Sequence, residues 1–342
     1  MSEQVKFDNN DLEITQDLFE FSPPNTSDLE TISRPSLTFW QDAIRKLVKN
    51  PGAIFGLVTI TLIVIMAMVA PMMSEFTYDQ QNIRHTKVLP KMPILSSFGI
   101  MDGTDSDGVD TYAERGIEET YFFGTDSLGR DLWTRTWSGA RVSLLIAVLA
   151  AVFDLVIGVT YGSISAYYGG KVDMIMQRII EIIAGIPSLV IVMLFMMIFD
   201  PGIISISLAM AFSGWIGMAR VVRSHILKLK SQEFVLASKT LGASDFTIIT
   251  KHLFPNIIGP IVVMIMFSLP GAIFYEAFLS FIGLGLQPPS ASLGSLISEG
   301  YLYLQNYPYM MFIPASILCL LIFSLNLLAD GLRDAVDPKM RN

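Results

Sequence analysis

The chain has few charged residues and almost no cysteine. Of its 342 residues, 16% are charged and only one, Cys319, is a cysteine. Soluble domains carry about 25% charged residues, so this composition points to a membrane protein. One cysteine allows neither an internal disulfide nor a metal site built from cysteines. Its position inside an apolar run indicates a small residue that faces lipid or the core.

Motifs of catalysis and nucleotide binding are also missing. No G-x-x-x-x-G-K-[ST] segment occurs, so we expect no P-loop and no ATP hydrolysis by this chain. No G-x-S-x-G elbow is present, and His85, His225 and His252 are too scattered for a metal cluster. The net charge of −8 argues against nucleic acid, because phosphate binders normally present a basic face. We therefore expect no catalytic residue, no bound metal and no nucleic-acid partner.

Long apolar runs are what the sequence has in abundance. Hydrophobic residues make up 52% of the chain, and the mean hydropathy is +0.52. A helix needs about 20 mostly apolar residues to span a bilayer. Six segments meet this requirement: 52–70, 142–168, 182–199, 201–219, 253–275 and 309–329. The fifth helix is expected to continue to about Leu284. Pro187, Pro260 and Pro270 predict kinks in spans three and five.

Basic residues near the ends of the spans predict the orientation, because Lys and Arg favour the cytoplasmic side. Arg45, Lys46 and Lys49 precede the first span, six basic residues occupy 220–252, and 286–308 has none. Both termini and the loop between spans four and five are therefore expected in the cytoplasm. Six basic residues in the long loop before the second span conflict mildly with this orientation, but long loops obey the rule less strictly.

The spans divide the chain into five predicted regions. These are an acidic cytoplasmic tail expected to be flexible (1–38), an amphipathic lead-in with the first membrane helix (39–72), an extracytoplasmic loop (73–138), a five-helix core (139–337) and a second cytoplasmic tail (338–342). The loop at 73–138 is called the outer loop below. The core includes a polar segment at 230–253, which differs sharply from the apolar runs on either side.

Most of this polar segment belongs to a two-part element, the stretch EFVLASKTLGASDFTIITKHLFPN at 233–256. Phe234, Ala237 and Leu241 follow the i, i+3, i+7 spacing of one face of a helix. Gly242 then breaks the pattern. We therefore predict a short amphipathic helix that ends at this glycine.

A second short helix is predicted after the glycine. Ser244 is a candidate N-cap, and Asp245 lies in the first turn, near the positive end of the helix dipole. Phe246, Ile249 and Leu253 repeat the spacing of one helix face. Helices this short are unstable alone. The pair must therefore rest on lipid headgroups or its own span ends, or in a groove of a cytoplasmic partner.

The element resembles the cytoplasmic signature of the permeases of ABC importers. That signature has a Glu-Ala-Ala triplet, a glycine four residues after the last alanine, and an Ile-x-Leu-Pro end. Here Leu236, Ala237 and Ser238 stand at the triplet, Gly242 at the glycine, and HLFP (252–255) at the end. Leu236 replaces the acid of the pattern, so a salt bridge made by that acid is not expected. The succession of helix, glycine and helix is preserved.

Three further stretches resemble the C-type permease subunits of oligopeptide, dipeptide and nickel importers. They are FWQDAIRKLVKNPGAIFGLV (39–58), FFGTDSLGRDLWTRTWSGARVSLLI (122–146) and EAFLSFIGLGLQPPSASLG (276–294). In the third, Leu293 stands where the family pattern has tryptophan. The resemblance extends over about residues 38–337.

The resemblance implies an all-α integral membrane protein with six transmembrane helices, the type I ABC importer permease fold and cytoplasmic coupling helices. It implies a multi-pass protein of the cell membrane, surrounded by lipid, with both termini in the cytoplasm. The implied partners are a second homologous permease subunit, two ABC ATPase subunits and an extracytoplasmic peptide-binding protein. ATP and Mg would be bound by the ATPase subunits, and this chain would bind no cofactor.

The resemblance also implies roles for two sets of residues. The segment 230–253, called the coupling element below, would dock against the ATPase subunits through Glu233, Phe234, Ala237, Ser238, Leu241, Gly242, Ala243, Ser244, Asp245, Phe246 and Ile249. A receptor-side segment of the outer loop would comprise Gly124, Thr125, Asp126, Gly129, Arg130 and Asp131. The glycines, acids and arginine of that segment suit a tight, hydrogen-bonded turn near the membrane surface.

Three acidic residues lie within or near the spans: Asp154, Glu181 and Glu276. Carboxylates are costly in hydrocarbon, so each is expected to face a cavity or a partner. For Asp154, a functional role and pairing with a neighbouring helix are equal alternatives. Glu181 is predicted to pair with Arg178 at i−3. For Glu276 we favour a structural or gating role over direct contact with substrate.

Small residues predict packing and movement in two spans. Gly158 and Gly162 form a G-x-x-x-G pair in the second span, which favours close approach of another helix. The fifth span contains Pro270 and Gly271, with Gly283 near the end of its helix. These residues favour the fifth span as the moving part, with a gating or structural role.

The function that these observations favour is the permease subunit of an ABC importer for oligopeptides, working by alternating access. Import of dipeptides, nickel or another small solute by the same architecture is the alternative. A secondary transporter or channel is a more distant one, since neither inverted repeats with interrupted helices nor a selectivity ring is found. A membrane-bound enzyme is disfavoured by the missing motifs.

Overall fold

The computed structural model describes residues 38–105, 107–200 and 202–336. The predicted acidic tail, apart from residue 38, and the predicted C-terminal tail at 338–342 lie outside the described residues. The chain divides into two units, Met1–Asp42 and Ala43–Asn342. Of the first unit, only residues 38–42 are described, and they include the start of the first helix.

Within the described ranges the chain is all α, without a strand, as predicted. Its helices are α1 (Phe39–Leu47), α2 (Pro51–Val69), α3 (Pro93–Ser96), α4 (Thr111–Arg115), α5 (Leu132–Tyr168), α6 (Gly170–Ala184), α7 (Ser188–Ile198), α8 (Ile203–Leu229), α9 (Glu233–Thr240), α10 (Asp245–Thr247), α11 (Phe254–Phe281), α12 (Leu293–Tyr301) and α13 (Tyr309–Val336). A π-helical segment, Ile248–Leu253, joins α10 to α11.

Five helices of the described part are long and apolar enough to cross a membrane: α2, α5, α8, α11 and α13. Helices α6 and α7 are long and apolar enough to cross a membrane only when they are counted together, which gives up to six spans. The two helices are bent by 80° relative to each other. The kink predicted at Pro187 in the third span is confirmed, but the predicted start of that span at 182 is too late, because α6 begins at Gly170. Pro187 explains the break, because proline disfavours the helical conformation of the residue before it.

The second span begins earlier than the sequence predicts. Hydropathy places its start at 142 and extends the outer loop to 138, whereas α5 begins at Leu132. Asp131 caps the helix by accepting a hydrogen bond from the backbone N–H of Thr134 at 3.0 Å. The first turns of α5 are polar in sequence yet buried, with Trp133 and Trp137 in the main hydrophobic core. Tertiary burial, which hydropathy does not measure, therefore moves the boundary.

Close packing of α5 against α8 depends on small residues. A Cβ atom on Gly158 would lie 2.6 Å from Met218 Cβ, and one on Gly162 would collide with the carbonyl oxygen of Ala219. Real Cβ atoms do not approach so closely, so both glycines are required for the observed distance between the helices. The packing role predicted for the G-x-x-x-G pair is confirmed.

Helix α12 occupies a stretch that the sequence predicts only as a connection between spans five and six. Its N-cap is Ser292, whose hydroxyl accepts from the backbone N–H of Ser295 at 3.2 Å, while Ser295 Oγ accepts from the Ser292 N–H at 2.9 Å. Leu296 packs with Leu132 at the start of α5. The helix has nine residues, so it depends on this packing for its stability.

Candidate functional site

The coupling element turns at Gly242, between α9 and α10. Gly242 has φ of +82°, a left-handed conformation that L side chains avoid. Its N–H donates to the Lys239 carbonyl at 3.1 Å, and the N–H of Ala243 donates to the Ser238 carbonyl at 3.1 Å. These two bonds form a Schellman motif. The predicted succession of helix, glycine and helix is confirmed.

The second half of the element starts as predicted and then departs from the prediction. Ser244 caps α10 by accepting from the Thr247 N–H at 3.3 Å, and Asp245 lies in the first turn. Phe246 and Leu253, however, do not share a face, because Phe246 is 76% exposed and Leu253 is fully buried. The prediction of one face with Ile249 between them is wrong. The intervening segment is π-helical, and its i→i+5 bonding changes the angular phase of the side chains.

The element rests on its own chain through three buried side chains. Val235, Ile248 and Leu253 are buried in one hydrophobic cluster with Ile226 of α8 and Ile257 of α11. Burial of such apolar groups supplies the stability that helices of this length lack in isolation. The element is therefore positioned by the membrane helices from which it extends.

The opposite side of the element exposes large apolar residues. Leu241 is 88% exposed, Phe246 76% and Phe234 42%, and Ala237 is also exposed. Several large exposed apolar side chains on one short element are typical of interaction surfaces. We call Phe234, Ala237, Leu241 and Phe246 the apolar face of the element.

The other residues predicted to dock lie in two different environments. Glu233, Gly242, Ser244 and Asp245 are exposed, whereas Ser238, Ala243 and Ile249 are partly buried. Ser238 Oγ donates to the Phe234 carbonyl at 2.8 Å and lies 3.5 Å from His252 Nε2. Its hydroxyl is thus engaged within the element.

Asp245 contacts a membrane helix that is distant in sequence. The hydroxyl of Tyr167, near the end of α5, donates to Asp245 Oδ1 at 2.6 Å. Lys230, which precedes α9, donates from Nζ to the Ala166 carbonyl at 2.8 Å. The coupling element is therefore attached to α5 at two points, Lys230 and Asp245. No motif or spacing in the sequence predicts these contacts.

The receptor-side segment forms a tight turn that is closed by a buried carboxylate. Asp126 Oδ1 accepts from the backbone N–H groups of Leu128 at 2.8 Å and Arg130 at 3.0 Å, while Asp126 Oδ2 accepts from Arg130 Nε at 2.5 Å. Gly124 and Gly129 have positive φ, and a Cβ on Gly129 would collide with the Asn82 carbonyl oxygen. The predicted hydrogen-bonded turn is confirmed.

The charged side chains of this turn face inward. Arg130 is 3% exposed and Arg135, on α5, is fully buried. Both bind Glu299 of α12: Arg130 Nη2 lies 2.8 Å and Arg135 Nη2 3.2 Å from its carboxylate. Arg135 Nε also lies 3.4 Å from Asp126 Oδ2. We call Asp126, Arg130, Arg135 and Glu299 the arginine clamp, which joins the outer loop, α5 and α12.

Burial of the turn has consequences for the receptor-side prediction. Thr125, Asp126, Arg130 and Asp131 are all buried, so their side chains hold the turn together within this chain. Burial raises the pKa of the Asp131 carboxyl, and hydrogen bonds from Thr134 and Ser74 oppose that shift. A receptor would meet exposed neighbours of the turn.

Glu276 lies at the centre of a polar cluster inside the membrane helices. It is fully buried and accepts hydrogen bonds from Ser143 of α5 at 2.8 Å and Ser280 of α11 at 2.7 Å. Ser143 Oγ also accepts from the Leu293 N–H at 3.3 Å, and Ser280 Oγ lies 3.2 Å from Ser292 Oγ. Glu276 therefore joins α5, α11 and the N-terminus of α12. This geometry favours a structural or gating role.

Asp154 lies at the α5–α8 contact, and Glu181 lies on α6. The buried Oδ1 of Asp154 has no hydrogen-bond partner among the described residues, and a Cβ on Gly214 of α8 would lie 2.5 Å from it. Gly214 thus leaves room for the carboxylate. Glu181 pairs with Arg178 at 2.6 Å, as predicted, and both side chains are exposed.

The remaining predicted residues lie in α11, where Pro270 is buried and Gly271 is exposed. Across the part of the chain that the structure describes, no three His, Cys, Asp or Glu side chains are grouped so as to hold a metal ion.

Two family models match the sequence. Residues 158–342 match the binding-protein-dependent transport system inner membrane component, and residues 38–92 match the N-terminal TM domain of oligopeptide transport permease C. Together the matches include the coupling element, Glu276 and α12, but not the turn at 124–131.

Relatives with curated descriptions match nearly the whole chain. The oligopeptide transport system permease protein OppC of Bacillus subtilis (strain 168) is 43% identical over 96% of this chain and 99% of its own length. The dipeptide transport system permease protein DppC of Lactococcus lactis subsp. cremoris (strain MG1363) is 46% identical over 91% of this chain and 93% of its own.

A solved structure agrees with the fold. A chain of the MetNI methionine ABC transporter, in an inward-facing conformation, has a TM-score of 0.50 and 20% sequence identity. The likeness includes 59% of this chain and 96% of that chain. At this identity the comparison supports the type I importer permease fold alone.

Proposed function

The chain belongs to the family of binding-protein-dependent transport system inner membrane components, and on that premise we propose that it forms half of the translocation pathway of an ATP-driven oligopeptide importer. It is a multi-pass membrane protein and a permease subunit. The oligopeptide assignment is supported by the name of the Bacillus subtilis relative and by the match of residues 38–92 to oligopeptide transport permease C.

The proposed assembly contains a second, homologous permease subunit, two ATPase subunits that bind ATP and Mg, and an extracytoplasmic peptide-binding protein. This chain has no nucleotide-binding motif, so ATP hydrolysis is assigned to the ATPase subunits. ATP-driven movement requires contacts that differ between the two states of the transporter. We assign those contacts to the coupling element. We also assign both termini of the chain to the cytoplasm.

The observation that carries this proposal is the apolar face of the coupling element. Phe234, Leu241 and Phe246 are exposed on an element whose other side is anchored by buried residues. A rigidly held pair of helices with an apolar face fits a groove on a partner protein. The alternative, a resting place in lipid headgroups, predicts no specific protein partner.

Phe246→Asp tests the docking role. The introduced carboxylate would be buried without a partner in an apolar groove, so the ATPase subunits should copurify about tenfold less or worse. Ser231→Asp is the matched control, because it adds the same charge at an exposed position before α9. Copurification and peptide uptake are measured after expression of the complete set of subunits.

Equal recovery of the ATPase subunits with Phe246→Asp and with Ser231→Asp would contradict docking through the apolar face. Gly242→Pro provides a second variant, because proline cannot adopt a φ of +82°. It should reduce uptake and the stimulation of ATP hydrolysis while membrane insertion is retained.

A second candidate substrate is a dipeptide. The chain is 46% identical to a dipeptide permease, which is more than its identity to the oligopeptide relative. The dipeptide comparison covers the slightly shorter stretch. Uptake of a labelled dipeptide, a labelled pentapeptide and nickel by the reconstituted importer distinguishes these candidates. Preferential uptake of the pentapeptide supports the proposal, and preferential uptake of nickel or the dipeptide contradicts the oligopeptide assignment.

A further inference from the structure

The coupling element has two physical connections to the membrane helices. One is covalent: α10 continues through the π-helical segment Ile248–Leu253 into α11. π-helical turns inside helices frequently occur at functional sites. Ile248 and Leu253, at the two ends of this segment, are fully buried in the cluster with α8 and α11. The covalent connection therefore leads to α11 and does not reach α5.

The second connection is made by side chains to the end of α5. Tyr167 Oη donates to Asp245 Oδ1 at 2.6 Å across 78 positions of sequence. The bond reaches α10 itself, ahead of the π-helical segment. Hydrogen bonds to charged acceptors are stronger than neutral ones. The Tyr167–Asp245 contact is thus a direct link between the coupling element and α5.

Other contacts hold the same end of α5 in place. Lys230 Nζ donates to the Ala166 carbonyl at 2.8 Å, which satisfies a carbonyl of the last turn of α5. Asp173 of α6 accepts from Ser165 of α5 at 2.5 Å and makes two bonds with Arg223 of α8, at 2.7 and 2.6 Å. The inner end of α5 therefore responds as one unit with its neighbours.

Helix α5 is also attached at two points in its N-terminal third. Its 37 residues extend about 55 Å. Ser143 bonds Glu276 of α11, and Arg135 bonds Glu299 of α12. A displacement of the inner end would accordingly reach α11 and α12 through buried polar contacts.

Resting on the function proposed above, we propose that α5 transmits the movement of the coupling element across the membrane, and that Tyr167 is the positioning residue that links the two through Asp245. This assignment differs from the sequence-based expectation that span five, α11, is the primary moving part. In the proposed sequence of events, the ATPase subunits move α10, Asp245 moves Tyr167, and α5 moves α11 and α12.

Tyr167→Phe in the complete importer tests the link. It deletes one hydroxyl and leaves the ring in place. Tyr168→Phe is the matched control: Tyr168 is the next residue and is exposed, and its hydroxyl makes no hydrogen bond within the described residues. The complex is purified with its ATPase subunits, reconstituted with the peptide-binding protein, and assayed for labelled peptide imported per ATP hydrolysed.

The expected result is a fall of about three- to tenfold in peptide imported per ATP for Tyr167→Phe, the size of effect that loss of one such hydrogen bond produces. Copurification of the ATPase subunits should be unchanged, and Tyr168→Phe should match the unmodified chain within about twofold. An unchanged ratio for Tyr167→Phe overturns the proposal. Failure of the unmodified chain to copurify with ATPase subunits overturns instead the function on which it rests.

Asp245 supplies a second set of variants. Asp245→Ala removes the acceptor of the bond and should lower the coupling at least as much as Tyr167→Phe does. Combining Tyr167→Phe with Asp245→Ala should add nothing further, because the two substitutions remove the same bond. Fully additive losses would show that the residues act separately and would contradict the link.

Discussion

At the scale of single residues, the charges that matter most are those that the fold buries. Arg135 is fully buried, and its positive charge is compensated by Glu299 and Asp126. A buried ion costs several kcal/mol unless it is paired and hydrogen-bonded. Separation of α12 from α5 would leave the buried arginine without its counter-charge on Glu299. The arginine clamp therefore holds the two helices together.

Glu299→Gln should destabilise the protein, since it removes one of the counter-charges of two buried arginines. Glu299 is itself 31% exposed, so we expect a loss of about 2–3 kcal/mol, below the full cost of breaking a buried pair. Thermal unfolding in detergent measures the effect. Glu119→Gln is the control, because Glu119 is exposed and forms no ion pair in the described part of the chain. Equal unfolding temperatures for the two variants would contradict the structural role of the clamp.

At the scale of elements, the coupling element combines a glycine turn with a π-helical segment. The turn depends on Gly242, whose left-handed φ lets two short helices meet at an angle. The π-helical segment is at 248–253. The part before this segment presents the apolar face, and the π-helical part leads into α11. The geometry separates docking from the covalent path into the membrane.

Gly242→Ala should weaken the coupling element through backbone strain alone. No atom lies within 4 Å of a Cβ built on Gly242, so the cost is the roughly 1–2 kcal/mol of a left-handed alanine. Hydrogen exchange of the amides of α9 and α10 should become faster by about fivefold to thirtyfold.

Gly217→Ala is the control for this prediction. Gly217 also has open space around a built Cβ, but it lies inside α8 without a positive φ, where alanine is favoured. Unchanged exchange in Gly242→Ala would show that the turn does not require its left-handed conformation.

At the scale of the whole molecule, α5 connects features that lie far apart. Its C-terminal end contacts the coupling element, its first third contacts Glu276, and its N-terminal end carries the arginine clamp. A single long helix with polar contacts at three depths is well suited to a transporter in which both faces must change together.

The orientation of the chain is a prediction at this scale. With Cys319 replaced by serine, a cysteine at Glu119 should react with a membrane-impermeant maleimide in intact cells, whereas one at Ser231 should react only after permeabilisation. The physical reason is the concentration of Lys and Arg around 220–252. Labelling in the reverse pattern would contradict cytoplasmic termini and an external outer loop.

The sequence by itself determined the membrane class, the approximate spans and the two-part form of the coupling element. Apolar content over about 20 residues, a glycine between two short amphipathic patterns and a serine cap are local properties. Local properties can be read without knowing what packs against them. Family-like motifs at 124–131 and 276–294 were visible for the same reason. In the structure, Arg130 of the first motif binds Glu299 of α12, and the second motif contains the N-terminus of α12.

Only the tertiary structure decided the start of α5 at Leu132, the existence of α12, the burial of Arg135 and the contact between Tyr167 and Asp245. Each depends on residues that are far apart in the chain, such as the 164 positions between Arg135 and Glu299. A polar segment becomes a buried helix end only when another element supplies its counter-charges and excludes water. That information resides in the packing of distant segments, so no window along the sequence contains it.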